Sequence, residues 1–303
     1  MIAMLGQKRS RLRRGVWGAL ILSGVILLSG AKEEPGGTSS SPTGADEKEG
    51  ALSGKTLVLS VESEEFRDGR RSQALRAALK AADAEEAKAV VLAIRSETGY
   101  DPELVSAILA EAVKGKTPLY GFVEESALGG GALLAGATDQ LYVSPFAVIG
   151  GALPDFEGKA EDAASKQVTA VLQARTRSAA EAKGRSAKLV SAFIDPQAHA
   201  ELLGDVPGKE EDEDGSSERP SVGVLTMTSD EALSPFEGEI ALAQGKLASV
   251  DELLEKLDLS GTEERYAVVS WQRERDRQKL AVTTSGSGKD SDEEKEKADG
   301  DAK

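Results

Sequence analysis

The sequence lacks cysteine and contains a single histidine, His199. Without cysteine the chain can form neither a disulfide bond nor a reactive thiolate. With one histidine it also has no histidine and cysteine spacing typical of a metal site, and we predict neither a metal nor a cofactor. A Ser-His-Asp triad would have to use His199, but the surrounding segment "DPQAHAELL" is polar and helical, which favours a surface position.

Basic residues are outnumbered by acidic ones, 37 to 52, but they are concentrated near the start of the chain. The net charge of -15 argues against nucleic acid as a partner. Five basic residues nevertheless lie within "QKRSRLRR", followed by the apolar run "GVWGALILSGVILL" and the small residues "SGA". This order is typical of an export signal over residues 1–31. The apolar run is shorter than the roughly 20 residues that span a bilayer, so we favour a cleavable signal over the alternative, an N-terminal membrane anchor.

Polar segments divide the rest of the chain. Residues 32–54 are rich in glycine, serine, proline and acidic residues, and we predict a disordered linker. Residues 273–303 are predicted to be a charged disordered tail, and the acidic insert 207–220, "PGKEEDEDGSSERP", a solvated loop. One folded domain is therefore expected over residues 55–272. It should be exported, either periplasmic or anchored to the outer face of the cytoplasmic membrane.

Apolar runs alternate with segments of helical periodicity inside this domain. "KTLVLSV", "AVVLAI" and "TPLYGFV" are typical of buried strands, whereas residues 70–87 repeat apolar residues at helical spacing. "DPELVSAILAEAVKG" carries helix signals at both ends, with Asp101 as N-cap, Pro102 in the first turn and Gly115 at the end. The alternation predicts an α/β domain with a mainly parallel sheet and flanking helices.

The order of four segments resembles a known family. These segments are "ALRAALKAADAEEAKAVVLAIRSETG", "GKTPLYGFVEESALGGGALLAGATDQLYVSPFAVIGGALP", "KGRSAKLVSAFID" and "GVLTMTSDEAL". They are similar to the ClpP/crotonase-fold domain of the NfeD (nodulation-efficiency protein D) group of membrane-bound serine proteases, which are related to signal peptide peptidase A. The resemblance runs from about residue 55 to about residue 258. It implies a ClpP/crotonase-like fold and a serine–lysine dyad that cuts peptide bonds near membranes.

The resemblance also assigns site residues. The family's nucleophile turn, "A-S-A-G" or "A-S-G-G", aligns on "ALGGGA", which places the missing serine at Gly129 and the oxyanion-binding backbone at Gly130 and Gly131. The family lysine aligns on Lys166. A second oxyanion element, "T-P-G-G" in the family, reads "SETGY" here, so Gly99 is kept whereas the proline and the second glycine are absent.

The lost serine predicts a pseudoenzyme, a serine protease homologue without peptidase activity that acts in peptide binding or in membrane-protein scaffolding and quality control. The resemblance implies as partner an extended peptide or membrane-protein segment, for example one from a stomatin-like membrane protein, and it implies a homo-oligomer. The main alternative is an active peptidase in which Ser126 attacks and Lys166 acts as base, although Ser126 also fits an N-cap of the following helix. A further alternative is a crotonase-like acyl-thioester enzyme that binds coenzyme A, against which the export signal argues.

Overall fold

The computed structural model describes residues 51–154, 163–203, 223–236 and 238–286. The signal segment 1–31, nearly all of the linker and the acidic insert 207–220 lie outside these ranges. The chain divides into Met1–Asp46, which lies wholly outside them, and Glu47–Lys303, which holds the fold. Across the described ranges, no helix is both long and apolar enough to cross a membrane.

The described strands form one mainly parallel sheet, which confirms the predicted α/β class. Its order is β6-β5-β3-β2-β1-β8, with β4 paired to β3 and β7 paired to β4. Each of these pairings is parallel except that of β5 with β6. The strands are β1 Thr56–Glu62, β2 Ala89–Ser96, β3 Leu119–Leu128, β4 Gln140–Val143, β5 Val148–Gly150, β6 Thr226–Thr228, β7 Gly245–Lys246 and β8 Glu263–Ala267.

Helices pack on both faces of this sheet. Leu57, Leu59 and Val61 of β1 belong to the main core, whereas Val58 belongs to a smaller cluster with residues of the helix Val250–Lys256. This division follows from the alternation of side chains along a strand. The helices are α1 Gly69–Ala84, α2 Pro102–Lys114, α3 Gly130–Gly136, α4 Ala163–Ala182, α5 Ala187–Ser191, α6 Pro196–Leu202, α7 Ser229–Leu233, α8 Val250–Lys256 and α9 Val268–Gly286, with a 3-10 turn at Ser63–Phe66.

Strand β3 changes partner halfway along its length. Its first part pairs with β4 and its last part, from Ser126 to Leu128, pairs with β5. The register against β2 shifts between Ile94 and Ser96, so β3 bulges at this point. A bulge bends a strand and changes the direction of its remaining residues. Here the bend carries the end of β3 towards β5, where the glycine turn begins.

Helix α9 crosses the boundary that the sequence predicted at residue 272. The helix runs from Val268 to Gly286, Trp271 is buried, and the Arg275 guanidinium is bound to the Glu85 carboxylate at the end of α1. The ordered domain therefore continues past residue 272. The segment "QRERDRQK" within α9 has no apolar stripe in the sequence. The described contacts of the helix include the buried side chains of Val268 and Trp271 as well as the ion pair of Arg275.

Candidate functional site

Strand β3 leads into helix α3 through a sharp turn at Gly129. The backbone of Gly129 has φ 58° and ψ -127°, and its N–H donates to the Gly150 carbonyl at 3.2 Å. A positive φ is strongly disfavoured for residues other than glycine. A strained turn from a strand into a helix is also the place where many hydrolases hold an exposed nucleophile. The position that the resemblance assigns to the nucleophile therefore has a suitable backbone and no side chain.

The turn faces the loop between β2 and α2. A Cβ atom at position 129 would lie 3.2 Å from the Glu97 carbonyl oxygen and 3.4 Å from the Gly99 amide nitrogen. The loop is fixed by Arg67, whose Nε donates to the Gly99 carbonyl at 2.9 Å and whose guanidinium also donates to the Thr98 carbonyl. The structure thus brings Gly99 and Gly129 together.

Tyr100 is a residue of this site that sequence reasoning missed. Its side chain is only 5 % exposed, and its hydroxyl donates to the Ala152 carbonyl at 2.7 Å. Burial raises the pKa of the Tyr100 phenol far above its ordinary value. The sequence signal that could have identified Tyr100 was an aromatic residue directly after Gly99, where the family pattern has its second glycine.

Gly130 and Gly131 lie inside α3 and are buried. A Cβ atom on Gly130 would lie 2.7 Å from the Phe66 ring, and one on Gly131 would lie 1.9 Å from the Ser96 Oγ. Both positions therefore require glycine for close packing of α3 against its neighbours. The oxyanion role assigned to them by the resemblance stays a prediction.

Ser126 does not cap α3, contrary to one expectation from the sequence. It belongs to the part of β3 that pairs with β5, and Gly129 occupies the N-cap position instead. The Ser126 Oγ donates to the Ser96 carbonyl at 3.0 Å. It lines an open polar cleft of about 320 Å³ at the carboxyl ends of β1, β2 and β3, together with Glu62, Ser63, Glu64, Arg67, Arg95, Glu97 and Glu125.

Lys166 lies near the start of α4 with an exposed side chain. A lysine that acts as a base generally needs burial, because desolvation disfavours the ammonium form. Lys183, further along the chain, has a side chain only 8 % exposed, but its amine is bound to the Asp139 carboxylate at 2.9 Å. The base assigned to Lys166 therefore remains a prediction from the resemblance.

The described residues give less support to a metal site or to a catalytic role of His199. In the part of the chain that the structure describes, no group of three or more histidine, aspartate or glutamate side chains is arranged to hold a metal ion. His199 is a half-buried residue of α6, and its Nδ1 lies 2.6 Å from the carbonyl of Gly223 in the segment before β6. This contact ties two segments of the surface together and involves neither Gly129 nor Ser126.

The family model described as the N-terminal domain of NfeD1b matches residues 61–267. This range extends from the end of β1 to the end of β8, so it includes the glycine turn, the β2–α2 loop and the described part of α4. No curated protein sequence matches the chain.

The chain is similar to solved structures of a protease called 1510-N, one of which reaches a TM-score of 0.50. A mutant described as a membrane-bound stomatin-specific protease gives a TM-score of 0.50 at 16% identity, over 71% of this chain and 98% of that chain. A second mutant, described as in complex with a substrate peptide, gives 0.49 at 16% identity, over 71% and 92%. A third structure, described as specific for a stomatin homolog from Pyrococcus horikoshii, gives 0.44 at 15% identity, over 71% and 92%. The predicted ClpP/crotonase-like fold is thereby confirmed.

Proposed function

Because the chain belongs to the family of NfeD1b N-terminal domains, we propose that it is a peptidase-fold domain that binds an extended peptide without cutting it. The observation that carries this proposal is Gly129, a turn of nucleophile type with no attacking atom. Removing the nucleophile of a serine protease lowers kcat by roughly 10⁶-fold. Neighbouring backbone amides cannot replace it, since they stabilise an oxyanion only after a nucleophile has attacked.

Exposed apolar side chains support a peptide-binding surface beside this turn. Phe146 is 90% exposed and Leu153 is 56% exposed, and they flank β5, the strand that accepts the Gly129 N–H. The neighbouring strand β6 ends the described sheet on this side. A terminal strand can accept an extended peptide through main-chain hydrogen bonds, while flanking apolar residues contact its side chains.

The partner and the location are proposed on similar grounds. The 1510-N structures are described as membrane-bound and stomatin-specific, and one contains a substrate peptide. We therefore propose a segment of a stomatin-like membrane protein as the peptide. The basic and apolar start of the sequence supports an exported or membrane-anchored chain, and self-association is proposed from the resemblance alone.

Binding and cleavage can be measured in the same samples. The purified full chain would be mixed with short overlapping peptides tiled across a stomatin homologue, with fluorescence anisotropy reporting binding and mass spectrometry reporting cleavage. We expect saturable binding of some peptides and no cleavage. Phe146→Glu and Leu153→Glu should each weaken binding about tenfold, or ~1.4 kcal/mol, because a charge would meet an apolar peptide side chain.

Val171→Glu provides the matched control, since it makes the same change at a 46% exposed position on α4. Equal losses of affinity in all three variants would contradict a peptide-binding surface at Phe146 and Leu153. Peptide cleavage that disappears in Ser126→Ala would replace the proposal by the active serine–lysine peptidase.

A further inference from the structure

Tyr100 borders the space that a side chain at position 129 would enter. A Cβ atom at Gly129 would already lie 3.2 Å from the Tyr100 Cδ1, before any further atom of a serine or cysteine is added. At this distance the ring would have to shift by a few tenths of an ångström to accept the Cβ atom, and further for a bulkier side chain directed towards it. The Tyr100 ring therefore lies against the Cβ position of residue 129 from the loop opposite the turn, beside the Glu97 carbonyl oxygen, which would also be 3.2 Å away.

The ring is held firmly in this position. Its hydroxyl is bound to the Ala152 carbonyl at 2.7 Å, and the Ala152 N–H in turn donates to the Phe193 carbonyl at 2.7 Å. On the other side, Arg67 binds the carbonyl groups of the two residues before Tyr100. Tyr100 thus clamps the β2–α2 loop onto the segment that comes after β5, and movement of the ring would break the bond to Ala152.

We propose that Tyr100 closes the nucleophile pocket and that Tyr100 and Gly129 are a matched pair, so that restoring a side chain at position 129 also requires removal of the ring. This inference rests on the proposed function and refines it. A bound peptide contacts the edge of the Tyr100 ring. At the same place a peptidase would present the hydroxyl of its nucleophile serine and the amide at the position of Gly99. The carbonyl group of the peptide is kept out of the turn, and the peptide binds without being activated for attack.

The absence of cysteine in the chain allows a direct test. Gly129→Cys introduces a single thiol, and its rate of reaction with a maleimide reports access to the pocket. Gly184→Cys is the matched control, because Gly184 also has a positive φ of 67° but no atom lies within 4 Å of its Cβ position. Both variants would be made in the full chain, with and without Tyr100→Gly, and their folding checked by circular dichroism.

We expect the thiol at position 129 to react at least about tenfold more slowly than the control while Tyr100 is present, since it reacts only through local opening. Tyr100→Gly should remove most of this difference and leave the control rate unchanged. Tyr100→Phe, which keeps the ring and loses the hydroxyl, should retain most of the protection.

Two outcomes would overturn the inference. One is a thiol at position 129 that reacts as fast as the control with Tyr100 in place. The other is a Gly129→Cys variant that fails to fold both with and without Tyr100, which would show that the ring is not the obstacle. Folding only in the Tyr100→Gly background would support the matched pair. None of these readouts involves a peptide, so they are independent of the test of peptide binding.

Discussion

Glu65 illustrates how one carboxyl group both orders a turn and carries an unfavourable charge. Its Oε2 accepts the Glu62 N–H at 2.7 Å, which closes the 3-10 turn that presents Phe66 to Gly130. Burial raises the pKa of the Glu65 carboxyl above its ordinary value, against the opposing effects of the hydrogen bond from Glu62 and the charge of Arg71, 3.7 Å away. The folded protein therefore binds a proton at Glu65 more tightly than the unfolded chain does.

This pKa shift predicts a pH-dependent contribution to stability with a definite sign. Because the pKa of Glu65 is higher in the folded protein than in the unfolded chain, protonation of Glu65 stabilises the fold. This stabilisation is fully present at pH values below the unfolded pKa of about 4.3, and it is lost as the pH rises through the folded pKa. Glu65→Gln cannot ionise but keeps an acceptor for the Glu62 N–H. We therefore expect the free energy of unfolding of Glu65→Gln to increase relative to that of the wild type as the pH rises from about 4 to about 7.

Urea denaturation at several pH values measures this difference. Glu64→Gln, an exposed neighbour in the same turn, removes the same charge and serves as the control. If the wild type and Glu65→Gln show parallel pH profiles, burial of Glu65 does not affect its titration.

At the scale of elements, helix α3 lies close to β2 because Gly131 has no side chain. The Ser96 Oγ occupies the adjoining space and donates to the Leu128 carbonyl at 2.9 Å. This hydrogen bond connects the end of β2 to the last residue of β3, directly before the turn at Gly129. Packing of α3 and the position of the candidate site are therefore linked through a single serine.

Gly131→Ala should destabilise the fold by about 1–3 kcal/mol, because the added methyl group displaces the Ser96 hydroxyl or moves the helix. Gly69→Ala is the control, at the first residue of α1 with no atom within 4 Å of its Cβ position. That change should be neutral or stabilising, by up to about 1 kcal/mol. Urea denaturation compares the two, and a Gly131→Ala variant as stable as Gly69→Ala would contradict the close approach of α3 to β2.

At the scale of the whole molecule, Arg185 joins segments that are distant in sequence. Its Nε donates to the Thr138 carbonyl at 3.0 Å and its guanidinium also donates to the Leu242 carbonyl. These bonds connect the link between α4 and α5 to the end of α3 and to the segment before β7. Burial lowers the pKa of Arg185 to about 10, which still leaves the side chain charged at neutral pH.

Arg185→Met should lower the free energy of unfolding by about 2–4 kcal/mol, because it leaves buried carbonyl groups without donors. Arg177→Met removes an exposed arginine of α4 and should change stability by no more than about 0.5 kcal/mol. Chemical denaturation of both variants provides the comparison. Similar losses in the two variants would mean that Arg185 does not hold these segments together.

Much of the architecture was predictable because it depends on local patterns. The runs "AVVLAI" and "TPLYGFV" became β2 and β3, and Asp101 with Pro102 begins α2 as expected. The same local reasoning failed at Ser126, where pairing of β3 with β5 overrides a plausible helix cap. Helix α9 has no comparable local signal over its polar part, and it packs through Val268, Trp271 and the ion pair of Arg275.

The sequence by itself determined the class of fold, the family and the prediction that a glycine, Gly129, stands at the family's nucleophile position, because each depends on residue types in a linear order. Only the tertiary structure decided which groups surround Gly129. The loop that carries Tyr100 and the turn at Gly129 are separated in sequence and meet because β2 and β3 are neighbours in a parallel sheet. Packing between such segments depends on three-dimensional distances, and no local pattern of residues encodes them.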